Sequence, residues 1–167
     1  IVPYRNRVTH RSRFLERMND YLKDESDWEI YFAHQCDERP FNRGAMKNIG
    51  FLAMKRKYPA EYGDITFIFH DVDTWPTENG IIKYDTIDGV VEQYFGYIFG
   101  LVGMFAIKGK DVEKTKGFSN FWGWGLEDNI IQDRCNAVGL SIDRTGFFPI
   151  TDKKNIHRED DGSIRLI

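Results

Sequence analysis

The chain has 167 residues, with 23 Lys and Arg against 26 Asp and Glu, so its net charge is −3. This near-neutral balance argues against a general binder of nucleic acid or other polyanions. The length predicts a single domain over residues 1–167, and 13 Phe, 8 Tyr and 4 Trp supply enough apolar surface for a packed core, which excludes a disordered chain. Aromatic residues make up 15% of the chain, more than such a core usually needs, so we expect some at a binding site.

Helix and strand patterns alternate in the first half of the chain. The predicted helices span His10–Lys23 and Arg43–Tyr58, and the predicted buried strands span Trp28–Ala33 and Ile65–His70. The apolar face of the second helix is predicted from its spacing to consist of Met46, Ile49, Leu52 and Ala53. This alternation favours a mostly parallel α/β sheet flanked by helices, with ligands beyond the carboxyl ends of the strands.

The second half of the chain is less regular because glycines interrupt its apolar segments. Tyr94–Ile107 is predicted to form one or two strands broken by glycines, and Glu127–Val138 is predicted to form a helix. A helical turn is expected over Val112–Lys116 and a short strand after Gly139. A polar tail is predicted from Thr151 to the end of the chain.

An acidic pair, Asp71 and Asp73, follows the predicted strand that ends at His70. In extended backbone, residues i and i+2 point to one face, so both carboxylates would face the same ligand. Two hard oxygen ligands at the end of a strand suit a divalent cation such as Mg²⁺ or Mn²⁺. The alternative is an ordinary turn, because Asp is common where strands end.

The stretch from Gly117 to Asp128 combines glycines with Trp122 and Trp124 and ends on Glu127 and Asp128. Its glycines permit tight turns that leave ring faces open, and exposed rings stack on sugars. A carboxylate at the start of the following helix could act as a general base beside such a sugar. The alternative is that both Trp side chains belong to the core and the acids only complement the helix N-terminus.

Two further segments carry polar groups next to predicted element ends. Arg5 and Arg7 come after a short apolar segment, where they could clamp phosphates or simply be solvated. Phe41 precedes Asn42, the expected N-cap of the second helix, and its ring could stack on a base.

Taken in order, four of these segments resemble the β-1,4-galactosyltransferase family of metal-dependent inverting glycosyltransferases, which also includes chondroitin-type transferase domains. The matching segments are Val2–Arg7, Phe41–Gly44 with Asn48–Phe51, Phe69–Asp73 and Gly117–Asp128. The resemblance covers about residues 1–140 and implies the GT-A fold, a nucleotide-sugar-binding α/β sheet.

The resemblance also implies roles for individual residues. Pro3, Tyr4, Arg5, Arg7, Phe41 and Arg43 match segments that hold the uridine diphosphate of the donor. Asp73 matches a metal ligand, and Asp71 an acid oriented toward the donor. Trp124 matches a tryptophan over the donor and acceptor sugars, Glu127 an acceptor-binding acid, and Asp128 the proposed catalytic base.

The chain departs from the family pattern at several positions. The family's other metal ligands follow the last helix as Met-x-x-His or His-x-His, whereas here Lys154 stands at the Met position and His157 is the available ligand. On the acceptor side, Asn129 replaces a second acid and Leu126 replaces a glycine. In the family's Tyr-Phe-Gly-Gly segment, either Tyr94 or Gly100 occupies the Tyr position, and Gly100 would leave a wider pocket that admits N-acetylgalactosamine.

The implied activity is transfer of galactose or N-acetylgalactosamine from a UDP-sugar to a glycan hydroxyl, with inversion and with Mn²⁺ or another divalent cation. The alternative is a non-catalytic nucleotide-sugar or carbohydrate-binding module derived from that family. No nucleic-acid partner is expected, and the longest apolar-rich stretch is too short to span a bilayer. Cys36 and Cys135 are expected as reduced thiols, which favours the cytoplasm; a Golgi lumen is the alternative if the chain is part of a longer eukaryotic protein.

Overall fold

The computed structural model describes residues 1–123 and 125–159, which form four helices and nine strands. The helices are α1 (Val8–Tyr21), α2 (Arg43–Lys57), α3 (Gly109–Thr115) and α4 (Glu127–Ala137). The strands are β1 (Val2–Tyr4), β2 (Phe32–His34), β3 (Thr66–His70), β4 (Thr74–Pro76), β5 (Val90–Gly96), β6 (Met104–Lys108), β7 (Ser141–Asp143), β8 (Phe148–Pro149) and β9 (Ile156–Arg158). Within this part of the chain, no helix has both the length and the apolar character that crossing a bilayer requires.

The central sheet has the strand order β3-β6-β5-β7, and β8 also pairs with β5. β6 runs antiparallel to both of its neighbours, while β7 and β8 run parallel to β5. β3, β5, β7 and β8 therefore run in one direction, which confirms the prediction of a mostly parallel sheet, and among the described strands of this sheet β6 is the one that reverses. The reason is the short connection 97–103 between β5 and β6, because a parallel crossover needs a dozen or more residues.

The parallel pair β1 and β2 forms a two-stranded sheet that lies beside β3. The Ile1 nitrogen donates to the Ile68 carbonyl at 2.7 Å, and the His70 amide donates to the Ile1 carbonyl at 3.1 Å. These bonds set β1 beside β3, so the segments that follow the two strands leave the sheet at the same edge. Arg5 and Arg7 are thereby brought toward Asp71 and Asp73.

The buried face of α2 differs from the predicted one. Met46 is buried as predicted, but Ile49 and Leu52 are more than half exposed. The face that packs on the molecule consists of Gly44, Met46, Lys47, Gly50, Phe51 and Met54. A Cβ at Gly44 would lie 2.1 Å from the Ser119 carbonyl oxygen, so this glycine permits close approach of the helix to the Phe118–Asn120 segment.

The segment predicted as a polar tail from Thr151 contains β9, which pairs antiparallel with β4. Thr77 anchors this ladder, since its amide donates to the Asn155 carbonyl at 2.9 Å and its hydroxyl to the Lys154 carbonyl at 2.8 Å. Ile156 is 1% exposed and supplies the apolar contact that the polar composition of the segment hides. The ladder lies directly after Asp73, which fixes His157 near the end of β3.

The main core lies between the central sheet and helices α2, α3 and α4, and its centre is aromatic. Phe105 is fully buried, and the ring centroid of Phe69 lies 5.2 Å from that of Phe105 and 4.8 Å from that of Phe118. Phe118 belongs to the segment that leads into α4. The core therefore connects the sheet directly to the glycine-rich stretch of the candidate site.

Phe105→Ala is expected to lower the free energy of unfolding by about 3–5 kcal/mol, because it removes a buried ring and leaves a cavity. Phe99→Ala is the matched control, since that ring is 62% exposed and its loss should change stability by no more than about 0.5 kcal/mol. Urea unfolding followed by circular dichroism measures both. Equal losses in the two variants would contradict the position of the core.

Candidate active site

Three segments that are distant in sequence meet at one edge of the molecule. Arg43 is the first residue of α2, which Asn42 caps by accepting a hydrogen bond from the Ala45 amide at 2.9 Å, as the sequence predicts. Asp71 directly follows β3, and Glu127 and Asp128 form the first turn of α4. Strand ends and helix starts thus supply the charged groups of the site, in keeping with the expected ligand position at the carboxyl edge of the sheet.

The guanidinium of Arg43 contacts three carboxylates. Its Nε lies 3.0 Å from Asp71 Oδ1, and its Nη1 lies 2.9 Å from Glu127 Oε1 and 2.5 Å from Asp128 Oδ2. Glu127 and Asp128 are 5% and 8% exposed. Because a buried carboxylate is costly without a partner, the cation that all three acids share helps them to lie together.

The charges in this cluster shift one another's protonation equilibria. Burial alone would lower the pKa of Arg43, but the carboxylates of Asp128, Asp71 and Glu127 outweigh it and raise that pKa well above its usual value. Burial alone would raise the pKa of Asp128, but Arg43 and Lys47 outweigh it and lower that pKa. Asp128 is therefore a carboxylate, not a carboxylic acid, at neutral pH.

The sequence analysis missed Lys47, which also reaches Asp128. Its Nζ donates to Asp128 Oδ1 at 2.9 Å, although the residue is only 1% exposed. The signal that could have found it is its position four residues after Arg43, on the same face of α2. A lysine on the face of a helix that packs inward needs an acidic partner, and here the first turn of α4 supplies it.

The acidic pair after β3 does not form one shared site. Asp71 binds Arg43, whereas Asp73 Oδ2 lies 3.3 Å from Arg7 Nη1. The backbone turns between the two acids, so the expectation that both face one ligand from an extended strand is wrong. Arg5 lies on the same loop as Arg7, and its guanidinium donates to the Arg39 carbonyl.

The β4–β9 ladder places His157 and Glu159 next to Asp73. His157 is the register partner of Trp75 and stacks on it, with centroids 4.5 Å apart. The Glu159 amide donates to the Asp73 carbonyl at 2.8 Å. The sequence analysis also missed Glu159, although the spacing His-x-Glu from His157 could have indicated it. The Glu159 carboxylate lies 2.6 Å from Arg13 Nη1.

Carboxylate oxygens and an imidazole nitrogen are donors that suit Mn²⁺, so the residue types on this ladder fit a divalent cation. Within residues 1–123 and 125–159, however, no three His, Cys, Asp or Glu side chains lie close enough together to hold one as they stand. Asp73 and His157 are thus neighbours of suitable chemistry, and the third ligand is not defined by their present positions.

The glycine-rich segment leads into α4 and is hydrogen-bonded to the residues just before α2. The Gly123 amide donates to the Phe41 carbonyl at 3.2 Å, and the Asn42 side chain donates to Asn120 Oδ1 at 2.5 Å. Trp122 is 49% exposed, and the Arg39 guanidinium lies 4.1 Å from its ring centroid. Trp124, the residue expected over the sugars, lies outside the described residues.

The loop between β5 and β6 presents a second aromatic surface beside α4. Tyr97 and Phe99 stack on each other with centroids 4.9 Å apart, and both are exposed. The Leu101 amide donates to the Asp128 carbonyl at 3.0 Å, and the Asn129 side chain donates to the Phe99 carbonyl at 2.7 Å. Asn129, where the family has an acid, thus ties this loop to the start of α4.

The remaining predicted donor residues differ in accessibility. Pro3 and Tyr4 are buried in β1, where the Tyr4 ring packs edge-on against Phe32. Phe41 is partly exposed at the start of the helix-capping segment. Only the Arg5 and Arg7 part of the first segment therefore offers side chains to a ligand, with the strand residues acting as their support.

Comparison with known proteins identifies the family of this chain. A family model described as the N-terminal region of glycosyl transferase group 7 matches residues 1–85, and one described as the N-terminal domain of galactosyltransferase matches residues 89–159. Human β-1,4-galactosyltransferase 4 is 35% identical over 158 residues, and bovine β-1,4-galactosyltransferase 1 is 32% identical over 155 residues. Each alignment covers 86% of this chain but only 44% and 37% of those proteins.

The fold comparison gives the same result. A Drosophila β-1,4-galactosyltransferase 7 mutant, solved in complex with manganese, UDP-Gal and xylobiose, superposes with a TM-score of 0.76 at 22% identity. The match covers 96% of this chain and 69% of that one. The fold is therefore the GT-A glycosyltransferase fold, as the resemblance implied. The chain belongs to the β-1,4-galactosyltransferase family, and it spans less than half the length of the curated vertebrate relatives named above.

Arg43→Met is expected to lower the free energy of unfolding at neutral pH by about 3–5 kcal/mol, because three carboxylates lose their shared cation. The loss should shrink in acid. In the native protein, the pKa of Asp128 is lower in the folded state than in the unfolded state. This difference stabilises the fold at pH values above the unfolded pKa, and the stabilisation is lost as the pH falls through the folded pKa. In the variant the pKa of Asp128 rises, so acidification lowers the free energy of unfolding by less than it does in the native protein.

Urea unfolding near neutral pH and at about pH 3 measures this difference, because the folded pKa of Asp128 lies below the unfolded value of about 3.9. Arg56→Met, at an exposed position of the same helix, is the control and should change stability by no more than about 0.5 kcal/mol at either pH. A loss for Arg43→Met that is the same at both pH values would contradict the carboxylate cluster.

Proposed function

We propose that this protein transfers galactose from UDP-galactose to a sugar hydroxyl with inversion of the anomeric centre, and that Asp128 is the general base. The observation that carries this proposal is the position of the Asp128 carboxylate, buried at the start of α4 and bonded to Arg43, which also binds Asp71 after β3. Membership of the galactosyltransferase family and the UDP-Gal in the related Drosophila complex support the same reaction class.

The base would act on an acceptor hydroxyl. Because the pKa of Asp128 is lowered, the residue is ionised and can accept the proton as the acceptor oxygen bonds to the anomeric carbon. The bond from that carbon to the diphosphate oxygen breaks on the opposite face, and its electron pair leaves with UDP. A single displacement of this kind inverts the configuration.

The leaving diphosphate needs positive charge. Arg5 and Arg7 follow β1 at the same edge of the sheet as Asp71 and Asp73, where guanidinium groups match phosphate oxygens. A divalent cation, held by Asp73 and His157, would neutralise the charge that develops on the diphosphate. The Glu159 backbone is bonded to that of Asp73, which supports its carboxylate as the candidate third ligand.

The acceptor would bind to exposed aromatic side chains near the start of α4. Trp122 belongs to the segment that leads into α4, and the stacked pair Tyr97 and Phe99 lies in the loop bonded to the first turn of α4; exposed rings of this kind stack on sugar faces. Glu127, with one oxygen bound to Arg43, would accept a hydrogen bond from an acceptor hydroxyl. The related Drosophila complex contains xylobiose, so a xylose-terminated saccharide is a reasonable first acceptor.

The donor sugar itself could be N-acetylated. Tyr94 is buried, and its hydroxyl donates to the Asp85 carbonyl at 2.7 Å, so it does not line the site. Gly100 instead packs on α4, where a Cβ would lie 3.3 Å from the Asp128 carbonyl carbon. With Tyr94 buried and Gly100 at this position, the pocket would have room for the acetamido group of N-acetylgalactosamine.

A donor screen by UDP release decides between these sugars and tests the activity itself. The protein is incubated with Mn²⁺, a saccharide panel that includes xylobiose, and UDP-galactose, UDP-N-acetylgalactosamine, UDP-glucose or UDP-glucuronic acid. Acceptor-dependent release with one of the first two donors is the expected result. Calorimetric binding of UDP without turnover on any acceptor would instead favour a non-catalytic binding module.

Asp128→Asn is expected to lower kcat by about 10²–10⁴-fold, because it removes the base but keeps the size of the side chain. Donor affinity, measured by calorimetry with UDP, should stay within about twofold, because Asp128 is proposed to act on the acceptor hydroxyl. A twofold change in affinity corresponds to well below 1 kcal/mol. Asp133→Asn, at an exposed position of the same helix, is the control and should leave kcat unchanged. Near-full activity of Asp128→Asn would exclude Asp128 as the base.

Asp73→Ala is expected to abolish the increase in UDP affinity that Mn²⁺ causes, because a carboxylate ligand of the cation is lost. Titration of UDP with and without Mn²⁺ measures the difference. Asp64→Ala removes a carboxylate that is 86% exposed and should preserve the full effect of Mn²⁺. If the effect of Mn²⁺ also survived in Asp73→Ala, the cation would have to bind elsewhere.

A further inference from the structure

Lys47 is the most deeply buried charged side chain near the proposed active site. It lies in α2 and is 1% exposed, with its Nζ 4.7 Å from the ring centroid of Phe118 and 5.7 Å from that of Phe105. Lysine is almost never fully buried unless it is paired, because removing an ammonium from water is expensive. A buried position for Lys47 therefore requires an acidic partner, and its retention there requires an explanation.

The partner is the carboxylate of Asp128. Lys47 Nζ donates to Oδ1 at 2.9 Å, while Arg43 Nη1 donates to Oδ2 at 2.5 Å, so each oxygen of Asp128 has its own cationic donor. The two donors lie four residues apart on one face of α2. Together they fix the plane of the carboxylate and the direction of its remaining lone pairs.

Stability alone does not account for this arrangement. A buried ion pair gains little over an apolar side chain of similar size, since the desolvation of two charges offsets their attraction. Phe105 and Phe118 would pack well around a methionine at position 47, and Asp128 would keep Arg43 as its partner. What a methionine could not supply is a second fixed donor on the carboxylate.

We propose that Lys47 is a positioning residue for the general base: by binding Oδ1 it holds the Asp128 carboxylate in one orientation and keeps a second positive charge beside it. This inference rests on the proposed function, in which Asp128 accepts the acceptor proton. Its action is on Asp128 and not on the donor, because its described contacts are with the carboxylate and the two rings.

The charged groups that face Asp128 are Arg43 and Lys47 from α2, Glu127 from its own helix, and Asp71 from the end of β3 through Arg43. Burial raises the pKa of Asp128, and Arg43 and then Lys47 lower it further than burial raises it. Loss of the Lys47 charge therefore moves that pKa upward, and a base with a higher pKa becomes protonated at a higher pH.

The test compares pH profiles of kcat for the native protein, Lys47→Met and Lys57→Met. Lys57 lies on the same helix and pairs with Glu29 at 3.1 Å on the surface, so Lys57→Met controls for loss of a lysine from α2. In Lys47→Met the acid limb should move up by about one pH unit, as expected for loss of one adjacent charge, with an unchanged KM for the UDP-sugar. Lys47→Arg should restore the native limb. A native profile that is only scaled down in Lys47→Met would overturn the proposal.

A double-mutant comparison separates positioning from general damage. In the Asp128→Asn background, Lys47→Met should have no further effect on kcat, because its target is already neutral. An additional loss as large as that in the native background would mean that Lys47 acts by another route and would refute the inference.

Titration of the Asp128 carboxyl carbon by NMR, in the native protein and in Lys47→Met, does not require turnover. A higher midpoint in the variant supports the pairing even if the native protein transfers no sugar, in which case the proposed function fails alone. Identical midpoints in a native protein that does transfer sugar would overturn the role of Lys47 alone.

Discussion

Arg43 binds three carboxylates that arrive from two distant parts of the chain, and this contact determines where the ends of β3 and α4 can lie. Three acids without a cation would repel one another, and Glu127 and Asp128 are too deeply buried for water to screen them. The start of α2 must therefore lie at the edge of the sheet. The close approach at Gly44 and the capping of α2 by Asn42 both serve this position.

The same cluster connects Asp128 to the segments that follow β1 and β3. Asp71 connects Arg43 to the end of β3, and two residues later Asp73 pairs with Arg7 behind β1. On the other side, Lys47 and the loop after β5 fix Asp128 from within the core. Side chains of α2 thus connect the end of β3 to the start of α4.

Much of this organisation could be predicted from the sequence because local patterns encode it. The helix starts at Arg43 and Glu127 and the end of β3 at His70 were predicted at the correct residues. The cap Asn42 marks the first, acids suited to a first helical turn mark the second, and an apolar run marks the strand. The antiparallel β6 was not predicted, because the glycines within Tyr94–Ile107 concealed a short connection that forces the chain to reverse. The inward face of α2 was predicted wrongly, because Lys47 counts as polar in a periodicity although Asp128 makes it a core residue.

The β4–β9 ladder illustrates a second limit of sequence reasoning. Among the described residues of the polar segment that starts at Thr151, Ile156 is the deeply buried apolar one, and a single such residue gives too little pattern to indicate a strand. Only the pairing with β4 brings His157 and Glu159 next to Asp73. Long-range pairing of this kind depends on the register of two three-residue strands, which local propensity does not encode.

The central claim is that Asp128 directs an inverting displacement at the donor sugar. The most direct measurement is the anomeric configuration of the transfer product, determined by proton NMR after incubation with UDP-galactose, Mn²⁺ and a xylose-terminated acceptor. The account predicts a β-linked galactoside, recognised by the large coupling between its first two ring protons. An α-linked product would contradict a single displacement assisted by this base.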